Sequence, residues 1–274
     1  MKYNANNKPL VCMQTHSTCY KGTRTMTPLG VLWHSTSANN PNLKRYVQPH
    51  ETDANYNEMI KILGKNANKN DWNHISHQAG LNCWIGKLAN GEVASIQTMP
   101  WNYRPWGCGS GAKGSCNSGW IQFEICEDDL SNEDYFNKIY KEGCEITAYL
   151  CKMYNLNPKG TVKTNGVNIP VILDHATAYK LGFGSNHGDI QHWFKKYGKT
   201  MDNVRNDVAK LMEEIPVAPS IIKPEIEEEE EMTQEQFNTM MNNWIAEQAK
   251  KAPGDWSAIP REWAERNNFI SGND

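Results

Sequence analysis

Two apolar runs end on histidines, and this layout restricts the fold more than any other feature of the sequence. Pro28-Leu-Gly-Val-Leu-Trp-His34 leads into Ser35 and Thr36, and Ile169-Pro-Val-Ile-Leu173 leads into Asp174 and His175. Short continuous apolar runs of this kind read as buried strands. Each then sets an imidazole at the C-terminal end of a strand, and two such ends can meet at one edge of a sheet. The second run opens the stretch from Ile172 to Phe194, which holds three of the eight histidines, His175, His187 and His192, with Asp174 and Asp189 among them. Gly182, Gly184 and Gly188 let its backbone turn tightly. Imidazole and carboxylate are the donors that borderline-soft Zn²⁺ accepts, and a catalytic zinc keeps three protein ligands and one open position. A loop histidine is more often a solvated or hydrogen-bonded side chain. No short His-x-x-x-His pair is present, so any ligands must come from distant segments, and spacing alone leaves both readings open.

Between the two runs, strands and helices interleave. The spacing predicts a helix from Thr52 to Gly64, with Thr52 or Asp53 as cap and Tyr56, Ile60 and Leu63 on one face. Leu81–Leu88 and Glu92–Thr98, joined through Asn90-Gly91, predict a hairpin. Trp120-Ile-Gln-Phe-Glu-Ile-Cys126 alternates, with Ile121, Phe123 and Ile125 facing one way and Gln122, Glu124 and Cys126 the other. A carboxylate in such a strand needs a cation or a chemical task if it is buried; the alternative is a solvated Glu on an edge strand. Ser131 to Leu156 is a long helix, with Ser131 and Asp134 as a variant capping box and Gly143 on its apolar face. Met201 to Leu211 is a further amphipathic helix. This order predicts an α/β domain of about 210 residues.

Composition then changes. Residues 215–231 hold three prolines and the run Glu227–Glu231, which reads as an acidic, extended linker between a domain at 1–214 and a small helical C-terminal segment at 232–274. Thr233 to Lys251 has a capping box and one apolar stripe through Phe237, Met241, Trp244 and Ile245. A lone helix with such a stripe packs on a domain or on a second copy of itself, so a homo-oligomer through 233–251 is an expectation.

A net charge of −3 and a pI of about 6.3 give no reason to expect nucleic acid as a partner. No apolar run approaches a membrane span, and the N-terminus lacks the apolar core of a signal peptide. Cytoplasmic synthesis is therefore expected, with another route for any role outside the membrane. The eight cysteines are expected to be mostly reduced, with Cys12/Cys19 and Cys108/Cys116 left as possible pairs.

Taken in order, Val31-Leu-Trp-His-Ser-Thr36, the hairpin, Gly119-Trp-Ile-Gln-Phe-Glu-Ile-Cys126, the following helix, and Leu173-Asp-His175 through Ser185-Asn-His-Gly-Asp189 resemble the zinc-dependent N-acetylmuramoyl-L-alanine amidases of the type-2 amidase and peptidoglycan-recognition-protein superfamily, in the variety found in phage endolysins. The resemblance covers about residues 28–212. It implies a mixed central β-sheet flanked by helices, and zinc held by His34, His175 and a third ligand at Asp189, with His187 as the alternative. It further implies Glu124 as the catalytic carboxylate and His187 as a cationic group assisting the transition state. The substrate would be bacterial peptidoglycan, cut at the amide between N-acetylmuramic acid and L-alanine, by an enzyme that reaches the wall after release from the cytoplasm. Trp84, Trp106 and Trp193, with Trp101, are candidate walls of a substrate groove; core packing is the other reading of each. Asp174 and His192 are candidate partners that orient the ligands. The family's loop often carries a Trp-His pair where this chain has Trp106-Gly107, so that histidine is absent or replaced from elsewhere, such as His74 or His77. A non-catalytic peptidoglycan-binding module, which lacks a zinc ligand, is the alternative from a different class. A zinc amidase acting on another acylated peptide is a third reading. Asp255–Gly272 is similar to the opening of an S-layer-homology-like wall-binding module.

Overall fold

The computed structural model describes residues 8–214 and the helical positions Asn238, Thr239, Asn242 and Asn243. The chain divides into two compact units, Met1–Pro216 and Val217–Asp274, and the fold below is that of the first. The expected linker at 215–231, the 233–251 helix apart from those four residues, and the segment Asp255–Gly272 lie outside the described residues.

In chain order the elements are β1 (Leu10–Val11), α1 (Thr18–Gly22), β2 (Gly30–Ser35), α2 (Tyr56–Leu63), β3 (Cys83–Lys87), β4 (Val93–Gln97), β5 (Trp120–Ile125), α3 (Glu133–Met153), β6 (Thr161–Thr164), β7 (Val167–Pro170), β8 (Ile172–Asp174), α4 (His175–Leu181), α5 (Gln191–Lys196) and α6 (Met201–Glu214). Six strands form one sheet in the order β1-β4-β3-β5-β2-β8. β3, β5, β2 and β8 run parallel, while β4 is antiparallel to β3 and β1 is parallel to β4. This is the mixed central sheet that the resemblance implies. Among the described residues no helix is long and apolar enough to cross a membrane.

Alternation along β2 and β5 separates the two faces. Val31, Trp33, Ile121, Phe123 and Ile125 pack into one core with α3 and α6. α3 comes close enough for this because residue 143 has no side chain: a Cβ there would meet the Trp33 ring at 2.5 Å. The opposite face is covered in two patches. Trp84 and Ile96 pack under Leu43, Tyr46, Val47, Met59 and Leu63 at one end, and Leu32 and Leu173 pack with Cys108, Cys116, Ala178 and Phe183 at the other.

The Asn90-Gly91 hairpin forms between β3 and β4, with Gly91 at φ 81°. Three boundaries differ from the sequence reading. α3 is capped by Asn132, whose side chain accepts from the Tyr135 N–H at 3.0 Å, because the Ser131 hydroxyl is engaged by Asp129 instead. α2 starts at Tyr56, since Asp53 accepts the His50 N–H at 2.8 Å in a turn that precedes the helix; Met59 and Leu63 are its buried residues, and Gly64 at φ 81° stops it. The run from Ile169 to Leu173 is split between two sheets. Ile169 and Pro170 belong to a hairpin with β6, and Ile172 joins β2. The change of partner falls at Val171, which donates to Gly160 at 3.0 Å and accepts from the Val31 N–H at 2.8 Å. Pro170 has no N–H to continue a ladder. All eight cysteines are buried and free, so neither possible pair is bonded.

Candidate metal centre

β2 and β8 are parallel neighbours with Trp33 level with Asp174, so the next residues, His34 and His175, emerge side by side. On the other side of β2, His34 is level with Glu124 of β5. All three therefore stand at the C-terminal ends of parallel strands, where open α/β sheets carry their sites. Because β5 lies between β3 and β2, Glu124 is on a central strand, not on a solvated edge.

His175 is the first residue of α4 and not a loop residue. Asp174 caps that helix, accepting the Thr177 N–H at 2.9 Å with one oxygen and the Gln191 side-chain amide at 2.9 Å with the other. The chain then returns through the glycine-containing loop to Asp189, which sits in the left-handed region at φ 40°, a conformation Asp adopts more readily than most residues.

The Asp189 Oδ2 lies 2.8 Å from the Nδ1 of His34 and 2.8 Å from the Nδ1 of His175. The two imidazoles meet edge to face, with centroids 4.9 Å apart. The three donor atoms lie within 4.8 Å of one another, and among the described residues this is the one group of His, Cys, Asp and Glu arranged to hold a metal ion. Two imidazole nitrogens and one carboxylate oxygen, converging at a buried point, suit a three-ligand site with an open position. Asp189, not His187, stands between the rings. His187 is exposed and stacks against the outer side of His175, with centroids 4.8 Å apart.

Charge in this pocket is strongly coupled. Burial works against protonation of His34, but the hydrogen bond and charge of Asp189 outweigh it and lift the His34 pKa to about 9. Burial likewise works against ionised Asp189, yet the hydrogen bonds from His175 and His34 hold it well below the usual carboxylate range. Glu124 is pushed up to about 8, first by burial and then by the charges of Asp189 and Glu127, with His34 opposing. A carboxyl group poised near neutrality beside a donor triad is equipped to accept or return a proton.

The two imidazoles are oriented by residues that the sequence does not single out. His34 Nε2 is 2.9 Å from the Gln122 Oε1, and His175 Nε2 is 3.3 Å from the Ser185 hydroxyl, which is also 3.0 Å from His187 Nδ1. The signal for Gln122 was available, because it shares a strand face with Glu124. Asp174 and His192 touch neither ligand ring among their hydrogen-bond partners: Asp174 caps α4, and His192 pairs with Glu127 at 3.0 Å.

Three of the four candidate groove tryptophans need correction. Trp84 is fully buried, stacked on Tyr46 with centroids 4.8 Å apart and met edge-on by Trp72. Trp193 is fully buried on the opposite face of the sheet, against Phe136 and Tyr135. Core packing takes both. Trp101 is also buried, and Trp106 alone keeps partial exposure. Gly107 follows it for a steric reason: a Cβ at 107 would meet the Gln122 Oε1 at 2.2 Å. His74 is bound to Asp71 at 2.9 Å, and His77 packs on Trp72, so neither is free of other partners.

Fold and donor set together point to a class: a mixed-sheet α/β protein in which two histidines and one carboxylate could hold a metal ion, with a carboxyl group beside them, the make-up of a metal-assisted hydrolase. The family model of N-acetylmuramoyl-L-alanine amidase matches residues 26–192, more than half of the chain. The protein belongs to that family, whose general activity is peptidoglycan amide hydrolysis. Among solved structures, it is similar to the Staphylococcus aureus hydrolase AmiA in complex with its ligand, at 17% identity over 76% of this chain and 86% of that one, with a TM-score of 0.48. It is also similar to PlyL, at 16% identity over 73% and 96% with a TM-score of 0.46, and to the PlyG catalytic domain, at 17% over 75% and 95% with a TM-score of 0.46. No curated protein sequence matches it.

Proposed function

We propose that the protein is a zinc-dependent N-acetylmuramoyl-L-alanine amidase of the phage or prophage endolysin type, made in the bacterial cytoplasm and acting on the wall after release. The observation that carries the reading is the convergence of His34, His175 and Asp189 within 4.8 Å, with Glu124 level with His34 on the neighbouring strand. These three residues would hold the zinc. When bound, zinc supplies a Lewis acid that polarises the scissile carbonyl and acidifies water. Glu124 takes the proton from the attacking water and returns one to the leaving amine of L-alanine. His187, exposed and stacked beside His175, would donate to the oxyanion as it develops. Trp106 remains as the aromatic side chain that can meet the sugar or peptide.

The first test is zinc content together with turbidity loss of a Gram-positive wall suspension, for the wild type and His175→Ala. About one zinc per chain, lost with lysis in the variant, supports the reading. A wild type that binds no zinc and lyses nothing after zinc is restored would leave the non-catalytic wall-binding module as the better account.

A further inference from the structure

Every amide in one buried chain of hydrogen bonds can be oriented from a single backbone group. The N–H of Cys108 donates to a side-chain atom of Asn117 at 3.0 Å. A backbone N–H can only donate, so that atom is the Asn117 oxygen. The same oxygen is 2.9 Å from the Gln122 side chain, which must therefore present its NH₂ there. That leaves the Gln122 oxygen toward His34 Nε2 at 2.9 Å, and an oxygen acceptor requires a proton on Nε2. The opposite ring nitrogen, Nδ1, is the one that points to Asp189.

Gln122 is completely buried and Asn117 nearly so. The backbone of Gln122 is fixed as well, its N–H donating to the Asn82 side chain at 3.0 Å and its carbonyl accepting from the Asn82 N–H at 2.9 Å. Its amide occupies the space that a side chain at 107 would take, since a Cβ there would lie 2.2 Å from Oε1 and 2.5 Å from Leu81. An amide placed this way has a cost unless every polar atom is paired, and here each is.

We infer that Gln122, anchored by Asn117 and admitted by the bare backbone at Gly107, is a positioning residue that holds His34 with its proton on Nε2 and its Nδ1 lone pair committed to the metal. The inference deepens the proposed zinc-amidase reading and rests on it. Partners of this kind fix the tautomer and orientation of a ligating histidine, and their loss typically weakens metal binding by about 10–100-fold.

The test uses the full-length protein. Zinc affinity is measured by competition with a chelator for the wild type, Gln122→Met, Gln122→Glu and Gly107→Ala, and the ring N–H signals of His34 are followed by nitrogen-15 NMR with and without zinc. Gln122→Met keeps the shape and removes both hydrogen bonds. It is expected to bind zinc roughly 10–100-fold more weakly and to lose a slowly exchanging Nε2–H signal that the wild type shows in both states. Gln122→Glu, as a neutral carboxylic acid in this buried position, offers the same acceptor to His34 and a donor to Asn117, and should stay within a few-fold of wild type. Gly107→Ala should follow Gln122→Met by displacing the amide. Thermal unfolding of the metal-free proteins separates these effects from general loss of fold. A Gln122→Met protein that binds zinc as tightly as wild type, or a wild type without the protected Nε2–H signal, overturns the inference. A wild type that binds no zinc at all instead overturns the amidase reading beneath it.

Discussion

Glu124 is the residue to which the proposed mechanism gives the proton transfers. It stands one strand from His34, and burial together with the charges of Asp189 and Glu127 pushes its pKa to about 8. Replacing it by Gln keeps the volume and removes the proton acceptor. Glu124→Gln should retain zinc while wall lysis falls by about 10²–10⁴-fold, the range general-base groups supply; parallel loss of zinc would assign Glu124 to the ligand shell instead. His34 supports a pH prediction. Its folded pKa is raised from the ordinary 6.5 to about 9, so the folded metal-free state binds a proton more tightly than the unfolded one. The stabilisation is complete below pH 6.5 and disappears as pH rises through about 9. In chelator, the unfolding temperature should fall across that window, and Asp189→Asn should flatten the decline. A melting temperature that rises over the same interval would contradict the coupling.

At the scale of elements, α3 and the sheet set the precision of the site. α3 lies against β2 at Gly143, where an added methyl would strike Trp33 at 2.5 Å, on the strand that carries His34 one residue later. In an isolated helix, Gly→Ala stabilises by about 1 kcal/mol. Here overpacking outweighs that, and Gly143→Ala should destabilise by about 1–3 kcal/mol in a denaturant titration. Trp193, which the sequence suggested as a groove wall, belongs to the core under α3, so Trp193→Ala should cost roughly 3–5 kcal/mol. Trp106→Ala provides the contrast: it should weaken wall binding with a smaller change in stability. Equal stability losses in the two variants would mean that Trp106 is core as well.

For the whole molecule, the cluster of His34, His175 and Asp189 ties together three segments far apart in the chain: the end of β2, the start of α4, and the turn before α5. A ligand that binds only the folded state stabilises it by mass action. Zinc at about 100 times its dissociation constant adds about 2.7 kcal/mol, or roughly 5–10 °C for a domain of this size. Chelation should lower the melting temperature by that amount, and the chelator should have no such effect on His175→Ala.

Periodicity and turn chemistry are local, so the amino-acid order alone was enough for β2, the β3–β4 hairpin at Asn90-Gly91, β5, the long helices α3 and α6, and the placing of His34 and Glu124 on strands; it does not single out β1, α1 or β6. It also supplied the residues His175 and Asp189, though not which of Asp189 and His187 stands between the imidazoles. That choice depends on how the loop from Gly182 folds back onto β2, which is a matter of long-range packing. The same holds for Trp84 and Trp193: a large aromatic side chain reads alike in a groove and in a core until the helices covering each sheet face are known. Gln122 shows the division most clearly. Its strand face was legible, but its partner was not, because the bond to His34 crosses between strands 88 residues apart and needs an open space at Gly107 that no local pattern records.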